Sequence, residues 1–306
     1  MSAATRTVAS IPHVSDAPLG AQRSALSTQH AFIRRFARNR VAVLAAAFLL
    51  LAVAGAVFAP LIARNPPERI LGTRLAPPSE RFLLGTDQSG RDVFARLLYG
   101  GQVSLMVGFL AAGLSIALGA SLGAVAGYAR GWPEAIIMRV ADGMLSIPIF
   151  FLVLVVLASL GSTLLNLIVT IGLASWMTTA RVVRGEVLRA SSLDFVTAAR
   201  ALGASAPRVL LRHALPQALP STIVAASLGV AQAILTESAL SYLGLGVQPP
   251  TPSWGNMLTD AQSYVFSAPL LALWPGLAIL LTVLSFNFLG ESLRDALDPF
   301  SGGRRA

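Results

Sequence analysis

Enzymatic chemistry needs a nucleophile, a base or a metal ligand, and this sequence offers few of them. It has no Cys, which removes thiolate metal sites, Cys nucleophiles and disulfides together. Of its three His, His13 and His30 lie in the N-terminal stretch, and His213 stands alone as a loop residue, so no metal site is expected. Neither a G-x-S-x-G elbow nor an H-E-x-x-H pair is present, and no catalytic residue stands out. All 23 basic residues are Arg. Without Lys there is no P-loop, whose Lys must reach the β- and γ-phosphates of a nucleotide. The acid that attracts most interest is Glu237, 20 residues beyond Gln217 in an apolar run. That separation is about 30 Å of helix, which places Glu237 near the outer end of a span. Acids in such places face water or the bundle interior. Two readings stand side by side: a residue on a polar path or at its outer gate, and a hydrogen-bonded structural Glu.

The elements that would carry these residues are membrane spans. The chain is 55% apolar and 12% charged, with mean hydropathy +0.69, whereas a soluble domain carries about 25% charged residues. Apolar runs cover Val41–Ile62 and about 102–128, 136–160, 163–180, 217–242 and 268–290. Each suffices for a hydrocarbon core of about 30 Å, giving an all-α integral membrane protein with six transmembrane helices. Residues 1–30 read as a disordered tail, 31–64 as the first span with a basic flank, and 65–100 as an outer segment ending in an amphipathic turn or helix near Arg91–Tyr99. Residues 101–291 read as a five-helix core containing a loop at 181–216, and 292–306 as a C-terminal tail.

The net charge of +9 invites a nucleic-acid partner. The Arg residues sit at the ends of apolar runs instead, which points to lipid and excludes that reading. With the N-terminus inside, 17 Arg fall on the cytoplasmic side and 6 outside, so both termini are expected in the cytoplasm of a multi-pass protein. Asp142 is expected to pair with Arg139, three residues away. Trp132, Trp176, Trp254 and Trp274 suit interfacial anchoring. Ser115, Gly119, Gly123 and Gly127 recur every four residues and form a helix-packing face.

The loop RVVRGEVLRASSLDFVTAARALGASAPRVLLRHALP predicts two short helices. Ser191 with Asp194 has capping-box spacing, Gly203 suits a helix C-cap, and Ser205 can cap the next helix, with Pro207 in its first turn and Pro216 near its end. Phe195, Ala198, Ala199 and Leu202 share one face. No span buries that face, so either a partner protein or lipid headgroups would cover it.

The loop resembles the cytoplasmic loop of ABC importer permeases: Glu-Ala-Ala, three residues, Gly, nine residues, Ile, one residue, Leu-Pro. Here Thr197, Ala198, Ala199, Gly203, Leu215 and Pro216 fall at that spacing, with Thr197 in place of the Glu and His213 in place of the Ile. The segments LLGTDQSGRDVFARLLYG (83–100), SYLGLGVQPPTPSWGNML (241–258) and PGLAILLTVLSFNFLGESLRDALDP (275–299) resemble the dipeptide and oligopeptide branch. The resemblance implies a type I ABC importer permease fold in the cell inner membrane. It also implies a homologous second permease subunit around a translocation path, two ATP-binding subunits docking on the loop, and a periplasmic or lipid-anchored solute-binding protein delivering peptide. ATP and Mg would be bound by the partner subunits, and no cofactor by this chain. Of the other classes, an ion-coupled secondary transporter would show internal repeats and a carboxylate near the bilayer midplane. A membrane enzyme would show a reactive constellation. Neither is evident.

Overall fold

The structure, a computed structural model, describes residues 39–297. The tail expected over 1–30, the flanking Arg34, Arg35 and Arg38, and the final Arg304 and Arg305 lie outside those residues.

The described chain is built from helices. The first is α1, Arg40–Val57, with Asn39 accepting at its N-terminus from the amides of Val41 and Ala42, followed by the single turn α2, Ala59–Ile62. Residues 63–92 cross one end of the bundle without regular structure, apart from two isolated bridges, Ile70 with Arg91 and Thr86 with Asp92. Asp92 then caps α3, Val93–Ala129, accepting from the Phe94 amide at 2.9 Å. The amphipathic segment at 91–99 is therefore mostly the first turns of a 37-residue helix that continues into the second span.

The third apolar run is not one straight span. It forms α4, Gly131–Leu145, and α5, Ile149–Leu160, bent by 84°. Pro148 has no amide hydrogen to continue the ladder. The break is closed locally by Ser146, whose Oγ donates to the Gly143 carbonyl at 2.7 Å. The fourth run is longer than its hydropathy indicates: α6, Leu164–Leu173, and α7, Trp176–Ala190, together form one candidate span ending at Ala190. Val183, Val187 and Ala190 recur on one face and bury against Ala124, Ala214 and Ala218. The Arg residues on the other faces of this amphipathic segment conceal it from a hydropathy reading, so the loop between spans is shorter than 181–216.

Two short helices do occupy that loop: α8, Asp194–Ala201, and α9, Ala206–Val209. A π-helical turn, Leu210–Ala214, joins α9 without interruption to α10, Leu215–Tyr242. Pro216 thus sits in the first turn of α10 and does not end a helix. The wider π turn just before it accommodates the ring and the missing amide. The segment after α10 carries α11, Trp254–Ala261, whose N-terminus has a reciprocal capping box between Ser253 and Asn256. The last span is α12, Leu270–Leu297.

Five segments are long and apolar enough to cross a membrane, and the bent pair α4–α5 makes six if it counts as one crossing. The even parity that would place both termini on one side therefore rests on that pair.

The stripe Ser115, Gly119, Gly123 and Gly127 lies along α3 against α7. A Cβ on Gly119 would stand 2.6 Å from the Trp176 carbonyl oxygen, and one on Gly127 would stand 2.7 Å from that of Arg184. Only hydrogen at these positions lets the two backbones meet, so α3 and α7 form one rigid pair. Of the four Trp, Trp132 is exposed, whereas Trp176 and Trp254 are buried and Trp274 is half-buried. Trp254 Nε1 donates to the Leu97 carbonyl at 3.0 Å. Trp176 and Trp254 therefore pack the interior; they do not anchor at a lipid interface.

Candidate functional site

Four elements, α3, the α4–α5 break, α6–α7 and α10, enclose a cavity of about 480 Å³. One side is apolar and includes Met144, Leu145, Ile147, Pro148 and Ile149 from the break. The other carries Ser115, Ser175, Thr178, Thr179 and Gln232. No charged side chain lines it. The bend at Pro148 makes this space, because a straight third helix would not set Ile147 and Ile149 at an angle to the wall formed by α3 and α10.

Glu237 does not line this cavity. It is wholly buried, and its carboxylate accepts from the hydroxyls of Ser241 at 2.7 Å, Ser104 at 3.0 Å and Ser238 at 3.3 Å. Two of those hydroxyls in turn accept from the segment after α10: Ser104 Oγ from the Trp254 amide at 3.2 Å and Ser241 Oγ from the Val247 amide at 2.9 Å. Glu237 therefore sits at the centre of a node joining α10, α3 and residues 243–261. A few residues away, Arg91 and Arg96 meet Asp87 and Asp260. Arg91 Nε lies 2.7 Å from Asp87, and Arg96 pairs with both Asp87 and Asp260, the latter at 3.0 Å. Burial alone would raise the Asp87 pKa. The Arg91 amide and the guanidinium groups of Arg96 and Arg91 outweigh it and hold Asp87 below the ordinary carboxylate value.

At the opposite end of the bundle, α8 buries Val196 and leaves Phe195, Ala198 and Leu202 exposed, with Ala199 half-buried. Leu202, at 89% exposure, projects almost entirely from the fold. Gly203 closes the helix at φ +86, a left-handed conformation, and the space around its Cα is open. The helix does not use Ser191 as its cap. Ser191 is buried at the end of α7, and Leu193 occupies the N-cap of α8 without a side-chain bond. Helix α7 runs on to Ala190, so the Ser191 hydroxyl is taken into that helix's end and cannot reach the amides after Asp194. Ser205 is the N-cap of α9, also without a side-chain bond. Leu215 is half-buried and Pro216 exposed. The loop is tied to the bundle by Arg200, whose guanidinium lies 5.3 Å from the centre of the Tyr128 ring, and by contact between the rings of Phe195 and His213.

Between loop and cavity, α7 is joined to α4 by ion pairs. Asp142 pairs with Arg181 across the two helices, not with Arg139. Arg184 pairs with Glu134, its Nε donating at 2.6 Å. The i,i+3 spacing is met on α4, but an Arg on the adjacent helix approaches more closely.

Sequence reasoning singled out the loop, the small-residue stripe and Glu237. It missed the cavity wall and both ion pairs across α4 and α7. The available signal was polar residues inside apolar runs, such as Gln232 between Ala231 and Ala233.

Five or six helices long and apolar enough to cross a membrane, four of whose elements line a cavity, are the architecture of a multi-pass membrane protein. The chain belongs to the binding-protein-dependent transport system inner membrane component family, whose pattern matches residues 119–301. Residues 28–78 match the N-terminal TM domain of oligopeptide transport permease C. The chain is 41% identical to the glutathione transport system permease protein GsiD of Pectobacterium atrosepticum over 284 residues, covering 92% of this chain and 94% of that one. It is 38% identical to the dipeptide transport system permease protein DppC of Alkalihalophilus pseudofirmus, covering 94% and 95%. GsiD of Escherichia coli O157:H7 is 42% identical, covering 88% and 90%. Members of the family are inner-membrane permease components of ABC transporters. They are not enzymes, they carry no cofactor, and they work with a further permease, an ATPase and a binding protein. These matches favour the ABC permease over the ion-coupled secondary transporter.

Proposed function

We propose that this chain forms half of the translocation path of an importer for dipeptides or oligopeptides, with a homologous permease supplying the other half. Two subunits that bind ATP and Mg dock on the loop helices of the permease pair, in this chain on the face formed by Phe195, Ala198, Ala199 and Leu202, with Gly203, Leu215 and Pro216 shaping the turn and the helix behind it. A periplasmic or lipid-anchored solute-binding protein delivers cargo at the other end. Similarity to a glutathione permease and a dipeptide permease supports a peptide cargo.

The observation that carries the coupling role is the apolar face of α8, exposed beyond the spans on a helix fastened to them. Burying such a face stabilises a complex by about 25 cal/mol per Å² of apolar surface. Motion imposed on α8 and α9 has two rigid exits. One is α9 into α10 through the π turn, and the other is α7, which its ion pairs connect to α4 and the cavity break. At the outer end, Glu237 serves as a latch that holds residues 243–261 on α3 and α10.

The reading requires α8 to face the cytoplasm, where ATP is. Because the chain has no Cys, each introduced thiol reports alone. Ser79→Cys is expected to react with a membrane-impermeant reagent added to intact cells, and Ser205→Cys and Ser301→Cys are expected to react only after the membrane is opened. The reverse pattern would put the docking face on the wrong side and end this reading.

A further inference from the structure

The polar groups of the cavity have an unusual property: most of them have nothing in the protein to bond to. Among the described residues, the side chains of Ser115, Thr178, Thr179 and Gln232 make no protein hydrogen bond; only Ser175 is satisfied, by the Ile171 carbonyl at 2.7 Å. Gln232 is also exposed, although it lies ten residues inside the end of α10. An unpaired amide against hydrocarbon costs several kcal/mol, so this face of α10 does not meet lipid. Ser115 on α3, Thr178 and Thr179 on α7 and Gln232 on α10 converge on one space from three helices. Their combined inventory is hydroxyl donors and acceptors plus one amide, which offers two donors and an acceptor at once.

We propose that these four residues are a hydrated binding site for the uncharged amide groups of a peptide main chain in transit, with Gln232 as its principal contact. The proposal rests on the importer reading. An amide side chain can replace the water on both the N–H and the C=O of a peptide unit, whatever the cargo's side chains are. A wall with no formal charge neither traps nor rejects cargo by its charge, so this station of the path is blind to cargo charge. A single charged residue introduced there must then make it selective, as rings of charge do in channels.

The test uses the complete importer in proteoliposomes and three tripeptides of similar shape carrying net charge −1, 0 and +1. Gln232→Glu is expected to raise the uptake ratio of cationic to anionic peptide by roughly tenfold relative to wild type, and Gln232→Lys to lower it by a similar factor. The same binding protein serves every variant, so its own preference cancels in that comparison. Ratios unchanged in both variants while uptake continues would overturn the proposal. Absence of ATP-driven uptake by the wild-type complex would count against the importer reading instead. If neither charged variant transports, Gln232→Cys decides. In the assembled complex this thiol is expected to react with a water-soluble reagent, more slowly when cargo is present, whereas a thiol at the exposed Val155, which does not line the cavity, is expected to stay unreactive. An unreactive Gln232→Cys, or one that cargo does not protect, would overturn the proposal.

Discussion

Replacing Arg96 by Met is expected to destabilise the protein by about 3–5 kcal/mol, because it strands carboxylate charge in a closed site. Arg96 is 2% exposed and neutralises both Asp87 and Asp260. Without it, Arg91 alone faces two acids. The variant should appear as lower yield and a lower Tm of the solubilised complex. Adding Asp260→Asn leaves one Arg with one Asp and should restore much of the loss, whereas a simple packing defect would not be repaired. The effect also has a pH signature. The folded-state pKa of Asp87 is lowered, so its contribution is complete above the carboxyl pKa of the unfolded chain and is lost as pH falls through the lower folded value. The gap between wild type and Arg96→Met should therefore narrow in acid. A gap independent of pH would assign the loss to the Arg96 stem alone.

Gly203→Val is expected to leave the chain inserted in the membrane but to reduce ATPase docking and uptake by roughly tenfold. No neighbour lies near the Gly203 Cβ position, so crowding plays no part and the penalty is in the backbone. At φ +86 a residue with a Cβ pays about 1–2 kcal/mol, and a β-branched one at least that. Each 1.4 kcal/mol depopulates the turn tenfold. Gly203→Asn tolerates the left-handed region and should recover most docking. Co-purification of the ATP-binding subunits and peptide uptake would be followed together. Normal values of both for Gly203→Val would remove this loop from the coupling path.

Much of the architecture was legible from hydropathy and local rules, and the misreadings share a physical cause. Apolar runs locate spans because lipid demands them. They do not reveal where a helix continues under charge, as α7 does to Ala190 with its Arg residues turned away from Ala124 and Ala214. Nor do they distinguish a Pro that breaks a helix from one that a helix absorbs. Pro148 turns the third run by 84°, whereas Pro216 follows a π turn and interrupts nothing. The left-handed Gly203 and the close approach at Gly119 and Gly127 were readable because each depends on a single local property of glycine. Partner choice was not. Asp142 selected Arg181 on another helix over Arg139 on its own, and the Ser hydroxyls around Glu237 come from α3 and α10 alike. Such pairings depend on how helices pack, which spacing along one helix does not encode.

The central claim is that this chain is a passage driven through other subunits and not a transporter in itself. Purified chain would be placed in proteoliposomes with or without a second permease, two ATP-binding subunits and a binding protein, and uptake of labelled peptide would be followed under ATP and under a proton gradient. Uptake is expected only from the complete set and only with hydrolysable ATP. Uptake by this chain alone under a proton gradient, with no response to ATP, would contradict the account.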